Sequence, residues 1–334
     1  MSQLRRNPTT QEWVIVAADR GLRPHDFVRQ QPRAEESEYS PGCPFCPGNE
    51  SLTPPTILEL PGTRAGRRWQ VRVVPNMYPA LSDEESAAVP LRGPLFASLP
   101  GTGAHEVVVE TPRHNEPPAE MTEQDLTLVL RACQLRYSAL AARPETRYVL
   151  VFKNHGEAAG TSLRHSHSQI IAAPVLPESE RRRGDIAAQH HRSTGSCLIC
   201  QLVREESRGA TRVVSEGGGF TVFCPFFSAR PAETWIVPTA HQQSFVLVDD
   251  AALRDMASVL RQTLRRLDSA FSDPDFNYVV QSAPAGEESL PHHHWYVRII
   301  PRLATPAGFE LGSEVYINTL PPESAAERLR EVPF

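Results

Sequence analysis

The chain carries the pair Cys43-x-x-Cys46 and, 154 positions later, the pair Cys197-x-x-Cys200, and the sequence that follows each pair repeats. An apolar run ending in histidine comes first, Glu106–His114 (EVVVETPRH) in one half and Glu233–His241 (ETWIVPTAH) in the other. Seven residues beyond each histidine a helical pattern starts, after Met121 and after Val248, with acidic residues in its first turn and arginines later. Tyr148 then precedes His165 by 17 positions, as Asn277 precedes His294, and HSHSQIIAAP aligns with HWYVRIIPRL without a gap. A repeat of this kind restricts the chain to two copies of one folding unit.

Each copy offers two cysteines and two histidines: Cys43, Cys46, His114 and His165, then Cys197, Cys200, His241 and His294. Thiolate and imidazole are borderline-soft donors, and four of them close a tetrahedral zinc site. Two Zn²⁺ per chain are therefore expected. His292 and His293 crowd His294, so the choice of the last ligand rests on register alone. Cys133, in a helical pattern, and Cys224, in a strand pattern, read as small buried hydrophobes.

At 334 residues the chain exceeds the ~250–300 at which a single core stops growing. Two domains are expected, residues 1–178 and 197–334, joined by a charged, poorly patterned linker over 179–196. A Pro/Gly/Ser-rich insertion at 83–104 is absent from the second half. Strand-like runs (WVIVA, EVVVE, YVLVF, SQIIAA, FTVFC, TWIVP, YVVQS, YVRII) are short and accompany one long helix per half, which predicts an α+β fold of mostly antiparallel sheet. With 34 basic against 39 acidic residues the net charge is -5, which supplies no field for nucleic acid. No apolar run approaches the ~20 residues of a membrane helix, and the N-terminus lacks a signal-peptide pattern, so the expected address is the cytoplasm. Lys153 is the single lysine, which excludes a P-loop.

Chemistry is expected where the halves differ. In His165-Ser166-His167-Ser168-Gln169 the period of a strand places His165, His167 and Gln169 on one face. The matching residues of the second half are His294, Tyr296 and Arg298, so a structural role shared by both halves does not account for His167 and Gln169. Upstream, the loop from Asn154 through Gly156, Gly160, Thr161 and Ser162 is built of small and hydroxyl residues that can cradle phosphate oxygens. A neutral imidazole beside such a loop is a competent nucleophile.

The double C-x-x-C, the tandem repeat and the H-x-H-x-Q strand resemble the galactose-1-phosphate uridylyltransferase family, the tandem-domain branch of the histidine-triad superfamily. The resemblance covers essentially the whole chain. It implies that His165 is a zinc ligand with Cys43, Cys46 and His114, and that His167 takes a nucleotidyl group covalently. It implies phosphate contacts for Asn154 and Ser162, a phosphate-stabilising amide for Gln169, a ribose contact for Asn76, and Arg20 and Arg23 donated across a homodimer interface. Ser166 stands where proline is common in the motif, and Met77 where an acid is common. Tyr296 and Arg298 replace histidines of the family's second metal site. The set Cys197, Cys200, His241, His294 and the tail GFELGSEVYINTLPPE resemble instead the branch containing plant ADP-glucose phosphorylase.

The leading expectation is uridylyl transfer between UDP-glucose and galactose 1-phosphate through a nucleotidyl-His167, with ping-pong kinetics. The alternatives are phosphorolysis of ADP-glucose or a related nucleotide sugar to inorganic phosphate, a histidine-triad hydrolase, and a zinc-stabilised nucleotide-binding protein without turnover. A hydrolase is expected to carry histidine where Gln169 stands, because an amide moves no proton. Among the remaining residues, His190, His191 and Arg181–Arg183 read as solvated linker, His105 as a strand-edge residue, the aromatic residues at 220–235 as core, and His155 as either ligand contact or loop packing.

Overall fold

The computed structural model of the chain describes residues 2–19, 37–62, 69–83, 91–93 and 95–332. Arg20 and Arg23 lie outside them. The first half contains β1 (Gln3–Arg6), β2 (Trp13–Val16), β3 (Leu58–Leu60), β4 (Val71–Pro75), β5 (Leu91–Arg92), β6 (Ala97–Ser98), β7 (Ala104–Val109), α1 (Glu123–Ala141), β8 (Tyr148–His155) and β9 (His167–Ala173). After α2 (Glu178–Thr194) come α3 (Leu198–Gly209), β10 (Val213–Gly217), β11 (Phe220–Phe223), β12 (Thr234–Pro238), α4 (Asp250–Phe271), β13 (Phe276–Gln281) and β14 (Tyr296–Pro301). The tail adds α5 (Gly308–Ser313), β15 (Tyr316–Asn318) and α6 (Pro322–Arg330).

Among the described residues ten strands form one sheet in the order β10-β11-β12-β14-β13-β8-β9-β7-β4-β3, every neighbouring pair antiparallel. The order reads the same from either edge once repeat partners are exchanged, β8 for β13, β9 for β14 and β7 for β12. The α+β expectation therefore holds, and the duplication is realised as two five-strand halves joined at the β8–β13 seam, where Asn154 faces Asn277 and Val151 faces Val280. A parallel pair occurs in the small sheet β1-β2-β15.

The two long helices start where the sequence places them. Thr122 Oγ1 accepts from the Asp125 N–H at the head of α1, and Asp249 Oδ1 accepts from the Ala252 N–H at the head of α4, each cap satisfying a first-turn donor. Both lie against the large sheet and pack on one another. One cluster crosses both halves, from Val73, Leu126, Val129 and Leu140 through Val151 and Val280 to Leu260, Leu264 and Leu267, and each half adds a smaller cluster of its own, around Phe45, Trp69 and Val107 in the first and Phe223, Phe227 and Trp235 in the second. Gln134 Nε2 also crosses between the halves, donating to Val248 O at 2.6 Å and Phe245 O at 3.1 Å.

The stretch expected as a poorly patterned linker is helical over most of its length. α2 buries no residue fully, so it lacks the apolar stripe that would announce it. Its local signals are Glu178 and Glu180 in the first turn, His191 and Arg192 in the last, and Gly195 left-handed at the C-cap. Among the described residues no helix is long and apolar enough to cross a membrane.

Candidate active site and metal clusters

Cys43, Cys46, His114 and His165 converge with their ligand atoms all within 4.8 Å of one another, and so do Cys197, Cys200, His241 and His294. In the first cluster His165 Nδ1 lies 3.5 Å from Cys43 Sγ and 3.6 Å from Cys46 Sγ, and His114 Nδ1 lies 3.6 Å from Cys46 Sγ. In the second the distances from His294 Nδ1 are 3.8 Å to Cys197 Sγ and 3.3 Å to Cys200 Sγ, with His241 Nδ1 3.3 Å from Cys200 Sγ. A tetrahedral ion at about 2.3 Å from sulfur and about 2.0 Å from nitrogen sets such S···N separations at about 3.5 Å. The donor sets fit a metal ion of that size.

Second contacts orient the ligands. His165 Nε2 donates to Thr111 O at 2.7 Å and His294 Nε2 to Pro238 O at 3.0 Å, carbonyls at equivalent places in the repeat. Each bond fixes the tautomer and leaves Nδ1 unprotonated toward the thiols. Burial lowers the pKa of His165 to about 4, so it is held neutral. The Ser40 N–H reaches Cys46 Sγ at 3.4 Å, and Asn49 Nδ2 ties down Cys43 O at 2.8 Å. His293 pairs with Glu287 at 2.8 Å, and of the three adjacent histidines it is His294 that joins the second cluster, in agreement with the register.

β9 begins at His167, with His165 just before it. His167 is 6% exposed, packs edge-on to Phe45 at 5.4 Å, and donates from Nδ1 to His165 O at 2.8 Å, so the lone pair sits on Nε2. Burial lowers its pKa, keeping the imidazole neutral. The Lys153–Ser168 ladder pair, continued one step, puts Asn154 opposite His167. The loop beyond Asn154 is tied by Thr161 Oγ1 donating to Asn154 O at 2.5 Å, and Asn277 Nδ2 crosses the seam to Asn154 Oδ1 at 2.8 Å and Ala159 O at 2.9 Å. Gly160 is left-handed, and Ser162 is exposed. At Gly156, also left-handed, a Cβ would come within 2.0 Å of Asp275 Oδ1, so only glycine fits.

Reading His105 as a strand-edge residue missed its role. The Ala80 N–H donates to His105 Nδ1 at 3.1 Å, which puts the proton on Nε2, and Nε2 donates to Gln169 Oε1 at 2.7 Å. That bond turns the Gln169 amide so that its NH₂ is left to donate elsewhere. Asn76 joins the same corner, its Nδ2 3.2 Å from His105 Nε2. No local pattern links residues 64 positions apart; only the shared face of β7 and β9 does. His155 stacks on Phe276 at 4.7 Å and faces Asp273 at 3.7 Å.

Beneath His167, on the opposite side of the sheet, lies a buried polar network. Lys153 Nζ donates to Glu110 Oε2 at 2.6 Å, Ser166 Oγ at 2.9 Å and His167 O at 3.1 Å. Ser166 donates to Glu110 Oε2 at 2.5 Å, and Ser168 donates to Glu110 Oε1 and meets Tyr278 OH. Burial raises the Glu110 pKa, but Lys153 and the serine hydroxyls outweigh it and hold the carboxyl below its ordinary value. In the second half Tyr296 stacks on Trp235 at 4.3 Å and Arg298 pairs with Glu233 at 2.7 Å, so the place of His167 carries no nucleophile.

Comparison with known proteins bears on this arrangement. The pattern of galactose-1-phosphate uridyl transferase, N-terminal domain, matches residues 1–177, and that of its C-terminal domain matches residues 182–333. The chain belongs to the galactose-1-phosphate uridylyltransferase family. It is an enzyme of that transferase family. The ADP-glucose phosphorylase of Arabidopsis thaliana is 34% identical, with 99% of this chain and 93% of the relative covered. The galactose-1-phosphate uridylyltransferase of Thermotoga maritima is 31% identical over 99% of this chain and 98% of its own. The structure of the Arabidopsis ADP-glucose phosphorylase with bound ADP-glucose superposes with a TM-score of 0.84 at 32% identity and complete coverage of both chains.

Proposed function

We propose that the protein takes a nucleoside monophosphate from a nucleotide sugar onto His167 Nε2 and passes it to a second phosphate. The observation that carries this reading is the neutral, buried His167, with Nδ1 bonded to His165 O and Nε2 left as the nucleophile. Nε2 attacks the α-phosphorus, the bond from that phosphorus to the bridging oxygen breaks, and sugar 1-phosphate leaves with the electron pair. The Nδ1 proton stays in place, so the nucleotidyl-imidazole is cationic and the His165 carbonyl stabilises it. Sugar 1-phosphate, with a second pKa of about 6, leaves at pH 7 without needing a proton. The Gln169 NH₂, turned by His105, donates to a phosphoryl oxygen while exchanging no proton, and Asn154, Gly160, Thr161 and Ser162 hold the phosphates. Attack by an oxygen of the acceptor phosphate then breaks the N–P bond and restores neutral His167.

Zn²⁺ is the ion assigned to both Cys₂His₂ sets, two per chain. Four protein ligands leave it no open position, so it serves structure. The first set ends at His165, two residues from His167, and thereby fixes the start of β9. Asn76 is assigned to the ribose, and Arg20 and Arg23 to phosphate contacts across a homodimer interface. None of the six cysteines is in a disulfide, which suits a reducing compartment and supports a cytoplasmic address.

Uridylyl transfer between UDP-glucose and galactose 1-phosphate is the main reading. Adenylyl transfer from ADP-glucose to inorganic phosphate is the second, favoured by the 34% identity and the 0.84 TM-score to a protein of that name. Incubating the purified protein separately with UDP-glucose and ADP-glucose, and reading the mass added to the peptide containing His167, separates them. A UMP adduct supports the first, an AMP adduct the second, and no adduct with either rejects covalent transfer.

A further inference from the structure

Half two carries a cavity of about 270 Å³ lined by residues of β12 and β14 and by β2 with the loop before it. Tyr296 and Arg298 line it in the places that His167 and Gln169 take in half one, and Arg183, Arg230 and Arg302 line it too. Two of the four guanidiniums are neutralised, Arg298 by Glu233 at 2.7 Å and Arg183 by Glu180. The other two have no acidic partner among the described residues. Arg302 Nε donates to Asn277 Oδ1 at 2.6 Å, and Arg230 lies over the Tyr316 ring at 4.0 Å. Glu12 and Glu314 also line the cavity, and Glu12 already faces Arg182 at 3.8 Å. Partial burial lowers the Arg302 pKa, and the repulsion of Arg230 and Arg298 lowers it further. Cations held together in this way are costly until an anion bridges them.

We propose that this cavity binds a dianionic phosphate ester the size of a sugar phosphate. The planar forks of Arg230 and Arg302 suit bidentate contacts to phosphoryl oxygens. Drug-sized pockets span roughly 300–1,000 Å³, so this one holds a phosphoryl group and one ring rather than a whole nucleotide sugar. Trp13, half exposed, supplies an aromatic face for the ring. The site is also wired to the other half. Arg302 bonds Asn277, and Asn277 bonds Asn154 and Ala159 of the loop assigned to phosphate. An occupant that draws Arg302 away acts on that loop; this consequence rests on the nucleotidyl-transfer reading, whereas binding itself does not.

The test is equilibrium dialysis of labelled glucose 1-phosphate, and separately of inorganic phosphate, against the metal-loaded protein, His167→Ala, Arg302→Gln and Arg230→Gln. Two equivalents of glucose 1-phosphate per chain are expected in the parent and in His167→Ala. One of the two should weaken roughly tenfold or more in each arginine variant, since a hydrogen bond to a charged group is lost. A single equivalent, or two that neither arginine variant changes, overturns the site. Inorganic phosphate binding as tightly there as the ester overturns a sugar-sized ligand. Protection of Arg302 from phenylglyoxal by glucose 1-phosphate reads the same site without any substitution, and absence of protection overturns it. Adduct formation at His167 is followed in parallel, and its failure counts against the transferase reading alone.

Discussion

His167 and Tyr296 hold the same place in the two halves, so the scaffold accepts a side chain other than histidine there. His167→Ala is therefore expected to abolish the adduct and turnover while metal content and melting temperature stay as in the parent. His165→Ala should lose metal and rate together, because its Nδ1 faces both thiols of the first cluster. Ordinary turnover in His167→Ala would falsify covalent transfer at this residue. His105 calls for a different experiment, because it acts through Gln169. Losing the bond to Oε1 frees the amide to rotate, and misplacing one donor at a developing charge costs part of the 10²- to 10³-fold that such donors supply, roughly tenfold in kcat. The check is a double-mutant cycle. His105→Ala combined with Gln169→Ala should be no slower than Gln169→Ala alone, and additive losses would mean that His105 acts independently.

Strands β8 and β9 turn their chemistry toward one face and their stability toward the other. Lys153 and Glu110 are both fully buried, and removing the ammonium leaves a carboxylate whose partners among the described residues are hydroxyls. Lys153→Met is expected to destabilise the protein by about 3–5 kcal/mol, and adding Glu110→Gln should recover much of that. Denaturant titration of both variants decides it, since no recovery in the double variant would rule out the uncompensated charge as the cause. At the same scale, Cys43→Ser should cost more activity than Cys197→Ser, because the first cluster holds the residue that leads into β9, and the rates of the two variants on one substrate test this. The sequence displayed these elements unevenly. α1 and α4 were legible from their helical pattern and first-turn acids, the convergence of the two Cys/His sets from the doubled spacing, and the singular place of His167 from the break in the repeat. α2 was not, because it buries no face, and Arg183 within it lines the cavity of half two rather than standing in solvent. The His105–Gln169 bond and the Glu110–Lys153 network stayed hidden because strand pairing, not spacing along the chain, brings their members together.

The molecule as a whole is a duplication whose main core is shared between the halves, and this changes what each half can do alone. The seam joins β8 to β13, and Val149 and Val151 on one side and Tyr278 and Val280 on the other are buried. Cutting the chain there leaves each half with a long, apolar edge strand, the kind that pairs with the nearest partner available. Because the strand order is the same read from either edge, a second copy of the first half can present its own β8 where β13 stood. Segment 1–178 expressed alone is therefore expected as a homodimer or aggregate, never as a stable monomer. It should still carry its own metal, since Cys43, Cys46, His114 and His165 all lie within it. Its activity should fall steeply, because Asn277, which fixes Asn154 and the loop carbonyl at Ala159, belongs to the other half. Light scattering, metal analysis and adduct formation on this segment measure the three expectations separately. A folded, metal-loaded monomer would show that the halves do not depend on the seam for stability.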